Sequence, residues 1–345
     1  MAYTTVPKST AYFNTKLYSG NGGTQTITGV GFQPDWTWIK NRNAGEHHVL
    51  TDVVRGANKQ LRTNGNNAQG TLTTQLTAFT SDGFSVGAGS EVNNGSQTYA
   101  SWNWKANGLG SSNTDGSINS IYTSASTTSG FSIVNYTGNG TAGATVGHGL
   151  GKEVKTIIIK KYNTTSDWVY GSSGMGFTKY MNLNSTSAES TYSGMFNNIA
   201  PTSSVFTLGA DGQVNASGGT YIAYCFAEIP GFSKFGLYEG TGNADGPFVY
   251  TGFKPSFVMI KAKGQTESWY INDNKRPGYN TNNYYLNPNT NSAEGTSTTL
   301  ATGLLSNGFK PFNSDTSMNT SGQGYVYMAF GQTLVGTNNV PATAR

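Results

Sequence analysis

The sequence predicts an all-β protein of three tandem β-sandwich modules, jelly-roll-like and about 95 residues each. Three observations carry this. Short β-branched and aromatic runs alternate with Gly/Asn/Asp/Ser clusters, and helical periodicity is nearly absent. One set of landmarks recurs three times in the same order. Two-residue turn signals such as Asp82-Gly83, Asp211-Gly212 and Asn307-Gly308 sit beside or within the strand-like runs, as tight hairpins require.

Each unit opens on a phenylalanine, Phe13, Phe131 or Phe232, followed by YSGNG at 18–22, YTGNG at 136–140 or YEGTG at 238–242. Next comes an apolar strand ending in Ile-Lys, at Lys40, Lys160 and Lys261, 22 to 24 residues after the tyrosine. An Asn-x-x-x-Ala-Gln/Glu turn follows at 64–69, 184–189 and 289–294, with Lys-to-Ala separations of 28, 28 and 32. A further strand carries Phe84, Phe206 and Phe309, and a closing aromatic strand begins 15, 15 and 16 residues later at Tyr99, Tyr221 and Tyr325. The closing strand alternates: Ala100, Trp102 and Trp104 correspond to Ile222, Tyr224 and Phe226, and to Val326, Met328 and Phe330. That face is large and apolar, so it is expected to face the core, opposite a more variable set. The organisation read from these landmarks is an N-terminal arm (1–12), repeat one (13–105), a Ser/Thr/Gly linker (106–130), repeat two (131–229), repeat three (232–331) and a tail (332–345). Only Pro230 and Gly231 join the last two repeats, which predicts that they pack together.

Composition narrows the function classes. Charged residues make up 11% of the 345, with a net charge of +4 and basic residues scattered one or two at a time, so no nucleic-acid stripe or polybasic membrane anchor is expected. The 46 glycines show no collagen period, and 12% aromatic residues argue against disorder. One cysteine excludes an intrachain disulfide and a cysteine-based zinc site, and no cofactor motif appears. The start has no apolar signal region and no run is long enough to cross a membrane as a helix, so a protein made in the cytoplasm without membrane insertion is expected.

Individual candidates have competing readings. Trp36 and Trp38 could stack on sugars, but their counterparts are Thr156 and Ile158, and Phe257 and Met259, which marks packing positions; the same holds for Trp102 and Trp104. His47 and His48 with Asp52 could suggest a metal, but adjacent strand residues point to opposite faces. The motif Asp52-x-x-Arg55 recurs as Asp273-x-x-Arg276 and is missing from repeat two. It is either an ion pair that fixes a loop or a ligand contact. Glu189 and Glu294 recur at one turn where repeat one has Gln69, so a pair of catalytic carboxylates is not indicated, and no catalytic, cofactor or metal residue is assigned. Cys225 replaces Asn103 and Ala329 and reads as a small buried side chain. Exposed loops at 41–47, 90–97 and 281–291 are the expected contact surfaces.

The ensemble GFQPDWTWIKNR, DVVRG, SDGFSVG, TYASWNWKA, GFSIVNYTGNGTAGATVGHGLG and DGPFVYTGFKPSFVMIK resembles a family of domains of unknown function common in tailed-bacteriophage virion proteins, over residues 11–331. The resemblance implies a non-enzymatic virion structural protein: a tail fibre or tail component that meets the host surface, or a capsid decoration protein. A glycan-degrading tailspike is the third alternative. Implied partners are other tail or capsid proteins, a host-surface glycan or protein, and further copies of the chain in the particle. It provides no catalytic residues.

Overall fold

The computed structural model describes residues 4–277 and 283–333. The fold is all-β: among the described residues, antiparallel sheets with only single-turn helices between them. Three large sheets share one strand order. An opening strand (Phe13–Ser19, Phe131–Thr137, Ser233–Glu239) pairs with the closing strand (Thr98–Trp104, Thr220–Ala227, Gly324–Thr333). The closing strand pairs in turn with the Ile-Lys strand (Trp36–Asn41, Val154–Lys161, Phe253–Ala262), and that with a hairpin partner (Val49–Asp52, Trp168–Ser172, Tyr270–Asp273). Registers correspond as well: Trp104 lies opposite Trp36, Phe226 opposite Thr156, and Phe330 opposite Phe257.

A smaller sheet covers one face of each large one. In repeat one it consists of Gln25–Ile27, Gly83–Val86 and Leu76–Thr80, in repeat two of Thr145–Gly147 and Val205–Thr207, and in repeat three of Val249–Tyr250, Gly308–Pro311 and Thr302–Leu305. The layers enclose Ile39, Phe84 and Tyr99 in repeat one, Ile157, Phe206 and Tyr221 in repeat two, and Val258, Phe309 and Tyr325 in repeat three. The conserved spacing from Tyr18, Tyr136 and Tyr238 to the closing tyrosines has a geometric cause. Each pair stacks with ring centroids 5.0 to 5.1 Å apart, and both hydroxyls bond main-chain groups of the same single-turn helix or its flank.

The other face of each large sheet points to a centre shared by all three repeats. Trp36, Trp104, Tyr224, Phe226, Phe257 and Phe330 belong to one buried cluster, with Trp36 4.8 Å from Tyr224 and Phe330 5.6 to 5.7 Å from Trp104 and Phe226. All six tryptophans are at most 1% exposed, which places Trp36, Trp38, Trp102 and Trp104 in packing positions. The alternation expected a large apolar core face on the closing strand, opposite a more variable set. Both are buried: Ser101, Asn103, Ala223, Cys225 and Ala329 are 0% exposed because the smaller sheet covers that side. The large apolar face meets neighbouring repeats rather than its own sandwich interior.

Residues 106–130 are not a free linker. Strand Tyr122–Ser126 joins the edge of the second large sheet, Ile118 is 7% exposed, and a Cβ on Gly110 would lie 2.1 Å from the Thr123 carbonyl oxygen. Within the arm, Thr4 and Val6 are buried, Val6 in the central cluster. The closing strand of repeat three runs to Thr333, two residues past the expected boundary, and 334–345 lie outside the described residues.

Candidate functional site

The recurrent Asp-x-x-Arg motifs stand at the boundaries between repeats. Asp52 ends the hairpin partner of repeat one, and the turn after it returns Arg55 to within 2.6 Å of the carboxylate. Both side chains are at most 1% exposed. Arg55 also donates to the carbonyl oxygens of Leu50 and Lys59 and to Gln69 Oε1, while Tyr224 of repeat two donates its hydroxyl to Asp52 Oδ2 at 2.7 Å. Burial alone would depress the Arg55 pKa, but Asp52 and Tyr224 outweigh it and hold it above the ordinary value. Tyr224 is raised well above its ordinary value, mainly by burial.

Asp273 and Arg276 repeat the arrangement between repeats three and one. The pair is 2.7 Å apart with both side chains 0% exposed, and Trp102 Nε1 donates to Asp273 Oδ2 at 3.0 Å. Arg276 Nη1 meets Glu294 at 3.0 Å, and Arg42 of repeat one meets the same carboxylate at 2.8 Å. Trp102, Tyr224 and Met328 occupy one strand position, so the polar motif occurs where the neighbour presents an N–H or O–H donor. Repeat two has Ser172 and Met175 instead, and Met175 joins the central cluster together with Met328. These four charged residues are therefore boundary ties, their side chains at most 1% exposed.

The Asn-x-x-x-Ala turns provide the second tie. At their far ends Gln69 N–H donates to the Tyr162 carbonyl oxygen (2.8 Å), Glu189 N–H to that of Lys263 (2.7 Å) and Glu294 N–H to that of Arg42 (2.9 Å). Repeat one thus engages two, two engages three, and three engages one: the chain closes into a pseudo-threefold ring. The turns' asparagines cap their own hairpins, Asn64, Asn184 and Asn289 accepting from the main-chain N–H of His48, Trp168 and Trp269. Indole N–H groups then cross two boundaries, from Trp168 to the Arg62 carbonyl oxygen (2.9 Å) and from Trp269 to that of Asn182 (3.2 Å). At the third boundary His48 takes the equivalent place: Trp38 Nε1 donates to its Nδ1 at 2.9 Å, and Nε2 lies beside the Asn287 carbonyl without reaching hydrogen-bond geometry. Burial pushes the His48 pKa well below the ordinary imidazole value, with Lys40 adding to the shift.

Two of the three Ile-Lys lysines add to the seams, and all three are caged by carbonyl oxygens. Lys40 Nζ donates to the carbonyl oxygens of Ala44, Glu46 and Asn291, the last from repeat three. Lys160 Nζ donates to those of Asn66 in repeat one and Ser166, and Lys261 Nζ to those of Ala262 and Gln265. Burial pushes each down to about 8, partly offset by Glu46, Asp167 and Glu267 respectively. These contacts account for a recurrent lysine at the end of an otherwise apolar strand.

Residues 8–333 match the family described as Domain of unknown function (DUF7483). The chain is a DUF7483 protein. One family match spans all three repeats, the same extent as the closed ring. No curated protein matches the chain. In this DUF7483 chain the recurrent acids are also held at boundaries: Glu189 meets Lys179 at 2.6 Å and Lys263 of repeat three at 3.6 Å. Among the described residues no three His, Cys, Asp or Glu side chains form a metal-ligating group, and no helix is long and apolar enough to cross a membrane. His47 bonds Asn64 and is partly exposed, while His48 is fully buried. Cys225 is 0% exposed and burial raises its pKa far above the ordinary thiol value, which removes the thiolate needed for nucleophilic chemistry.

The loops expected to make contacts are largely tied down. The 41–47 loop meets repeat three through Gly45, whose carbonyl oxygen accepts from Asn291 Nδ2 at 3.2 Å. The 90–97 segment contains the helix Ser90–Asn93, with Glu91, Val92 and Asn93 buried. Residues 281 and 282 of the third loop lie outside the described residues. Sequence reasoning missed Asn93, Asn215 and Asn319, fully buried amides that each accept from the tract after the opening strand. Their equal offset from the closing tyrosine was the available signal.

Proposed function

We propose that this DUF7483 protein is a non-catalytic structural component of a tailed-phage virion, a tail fibre or tail part that meets the host surface. The observation that carries the reading is where the polar chemistry lies. The buried charged pairs, the recurrent acids and two of the three caged lysines face another repeat, which makes a rigid scaffold whose outward surface is uncommitted. The family resemblance supports the virion setting. Specific antibody labelling of intact particles, with copies counted against the major capsid protein, tests it. About a dozen copies at the tail support the reading, and absence from the particle overturns it.

A second reading, capsid decoration, is favoured by ring closure. A single chain with three similar faces matches a threefold or quasi-threefold lattice position, and it predicts labelling over the head at about a hundred copies or more.

A further inference from the structure

Repeat three departs from the other two at one place on its outer surface. From the small-sheet phenylalanine to the cap of the following helix there are five residues in repeats one and two (Phe84 to Gly89, Phe206 to Asp211) and six in repeat three (Phe309 to Asp315). Just after the strand, repeats one and two have Gly87 and Gly209, where a Cβ would lie 2.8 Å from Thr74 Cα and 2.1 Å from the Gly194 carbonyl oxygen. Repeat three has Phe312 there. With the extra residue, a cavity of about 540 Å3 opens, lined by Phe312, Thr298, Thr299, Ser314, Asp315 and Thr316 among others.

The adjoining sheet face is aromatic only in this repeat. Val249 and Phe309 point inward, so Phe248, Tyr250, Lys310 and Phe312 share the outer face. The positions of Phe248 and Tyr250 hold Thr26 and Thr28 in repeat one, and Thr145 and Gly147 in repeat two. The same sheet therefore forms without aromatics. Phe248, Tyr250 and Phe312 are 47%, 56% and 37% exposed, too open for a core role. Two of the rings lie over bare backbone: a Cβ on Gly308 would be 2.8 Å from Phe248 Cζ, and one on Gly303 2.4 Å from Phe312 Cε2. Rings resting against a glycine floor and still 37 to 47% exposed leave aromatic surface open to solvent, and the negative quadrupole of such rings suits the polarised C–H face of a pyranose.

Charge selects among ligands. The cavity lining holds one carboxylate, Asp315, and no cation; Lys310, whose ammonium lies over the Phe312 ring at 5.7 Å from its centre, is paired with Asp245 at 2.6 Å. The hydroxyls of Thr316 and Ser317 are bonded to a second carboxylate, Glu267. Uronate, sialate or phosphorylated sugars would meet repulsion, whereas neutral hydroxyls can pair with Thr298, Thr299, Ser314 and Asp315.

We propose that the outer face of repeat three is a binding site for a neutral, pyranose-based glycan, with one sugar in the Phe312 cavity and the chain continuing over Phe248 and Tyr250. This rests on the reading that the protein contacts the host surface and names the chemistry it meets there.

Isothermal titration of the full chain with neutral hexasaccharides of glucose, N-acetylglucosamine and mannose, beside a hexamer of galacturonic acid, tests it. At least one neutral sugar is expected to bind and the galacturonate not to. Phe312→Gly and Tyr250→Thr, which install residues that other repeats hold, are each expected to weaken binding about tenfold or more at unchanged melting temperature. Phe248→Thr gives an independent check if either variant fails to fold. The proposal is overturned if none of the neutral sugars binds at up to ~10 mM, if galacturonate binds instead, or if the folded variants bind like the wild type. A negative titration leaves the position on the particle unaffected, and labelling at the capsid leaves the titration unaffected, so the two readings fail separately.

Discussion

Arg55 and Arg276 show how much depends on single buried charges. Removing one member of a buried pair strands the other, which typically costs about 3 to 5 kcal/mol. Arg55→Met is expected to destabilise the chain by about that amount in urea unfolding. Adding Asp52→Ser and Tyr224→Met, which recreates the Ser172, Met175 and Met328 set of the apolar seam, is expected to recover at least half of it. Additive losses across the three substitutions would contradict the seam as described. The lysines give a pH signature. Their folded values are near 8, below the unfolded 10.5, so the unfolded chain binds more protons between those values and stability rises with pH there. The opposite sign applies to Cys225 above pH 9 and to the buried tyrosines above pH 10, whose folded values are raised by burial. The expected profile of urea midpoints climbs from pH 8 to about 9.5 and falls beyond about 10.5; a flat or falling profile between 8 and 9 would refute the lysine assignment. The Asp-x-x-Arg motif was legible because it recurs. Its partners Tyr224 and Trp102 were not, since they stand 172 and 171 residues from the aspartates they meet.

Among the elements, the recurring strands and most turns were legible because strand periodicity and Gly/Asn turn chemistry are local signals. Asp82-Gly83 and Asn307-Gly308 close hairpins, but Asp211 instead caps the helix Gly212–Asn215, since an Asp-Gly pair serves a helix start as well as a tight turn. The closing strand was half-legible. Its Trp102 and Trp104 face reads as a core face, but nothing local shows that Ser101 and Asn103 are buried as well, because a small polar side chain under a covering sheet reads in sequence like an exposed one. Residues 106–130 were misread for a related reason. Ser/Thr/Gly composition is shared by linkers and by edge strands such as Tyr122–Ser126, and only pairing to Phe131–Thr137 distinguishes them. Glycines in the small sheets provide a direct test of element packing. Gly83 has φ +156°, and a Cβ there would lie 1.9 Å from the Ile27 carbonyl oxygen, whereas Gly56 has φ +98° with nothing within 4 Å. Gly83→Ala is therefore expected to cost about 3 kcal/mol and Gly56→Ala about 1 kcal/mol in chemical denaturation. Equal effects would show that the strand contact at Gly83 is not as close as described.

At the scale of the whole molecule, three repeats that each cover one sheet face internally leave the other face, with its tryptophans and phenylalanines, to be buried by neighbours. A linear string would expose that face at its two ends; closure of repeat three onto repeat one removes both ends. The Glu294–Arg42 bridge, the Asn291–Lys40 contact and the Trp102–Asp273 bond are the closing ties. Closure was not legible in the sequence, which gives the order of repeats but not the angle between them. It also separates the uses of the repeat: common positions hold the ring together, while differences such as Phe312 and the residue added before Asp315 are free to carry recognition. Scanning calorimetry of the full chain tests closure most directly. One transition is predicted, with van't Hoff and calorimetric enthalpies in a ratio near one, because no repeat retains its core once the ring opens. Separate transitions, or a ratio deviating to about three because each third melts on its own, would contradict the closed ring.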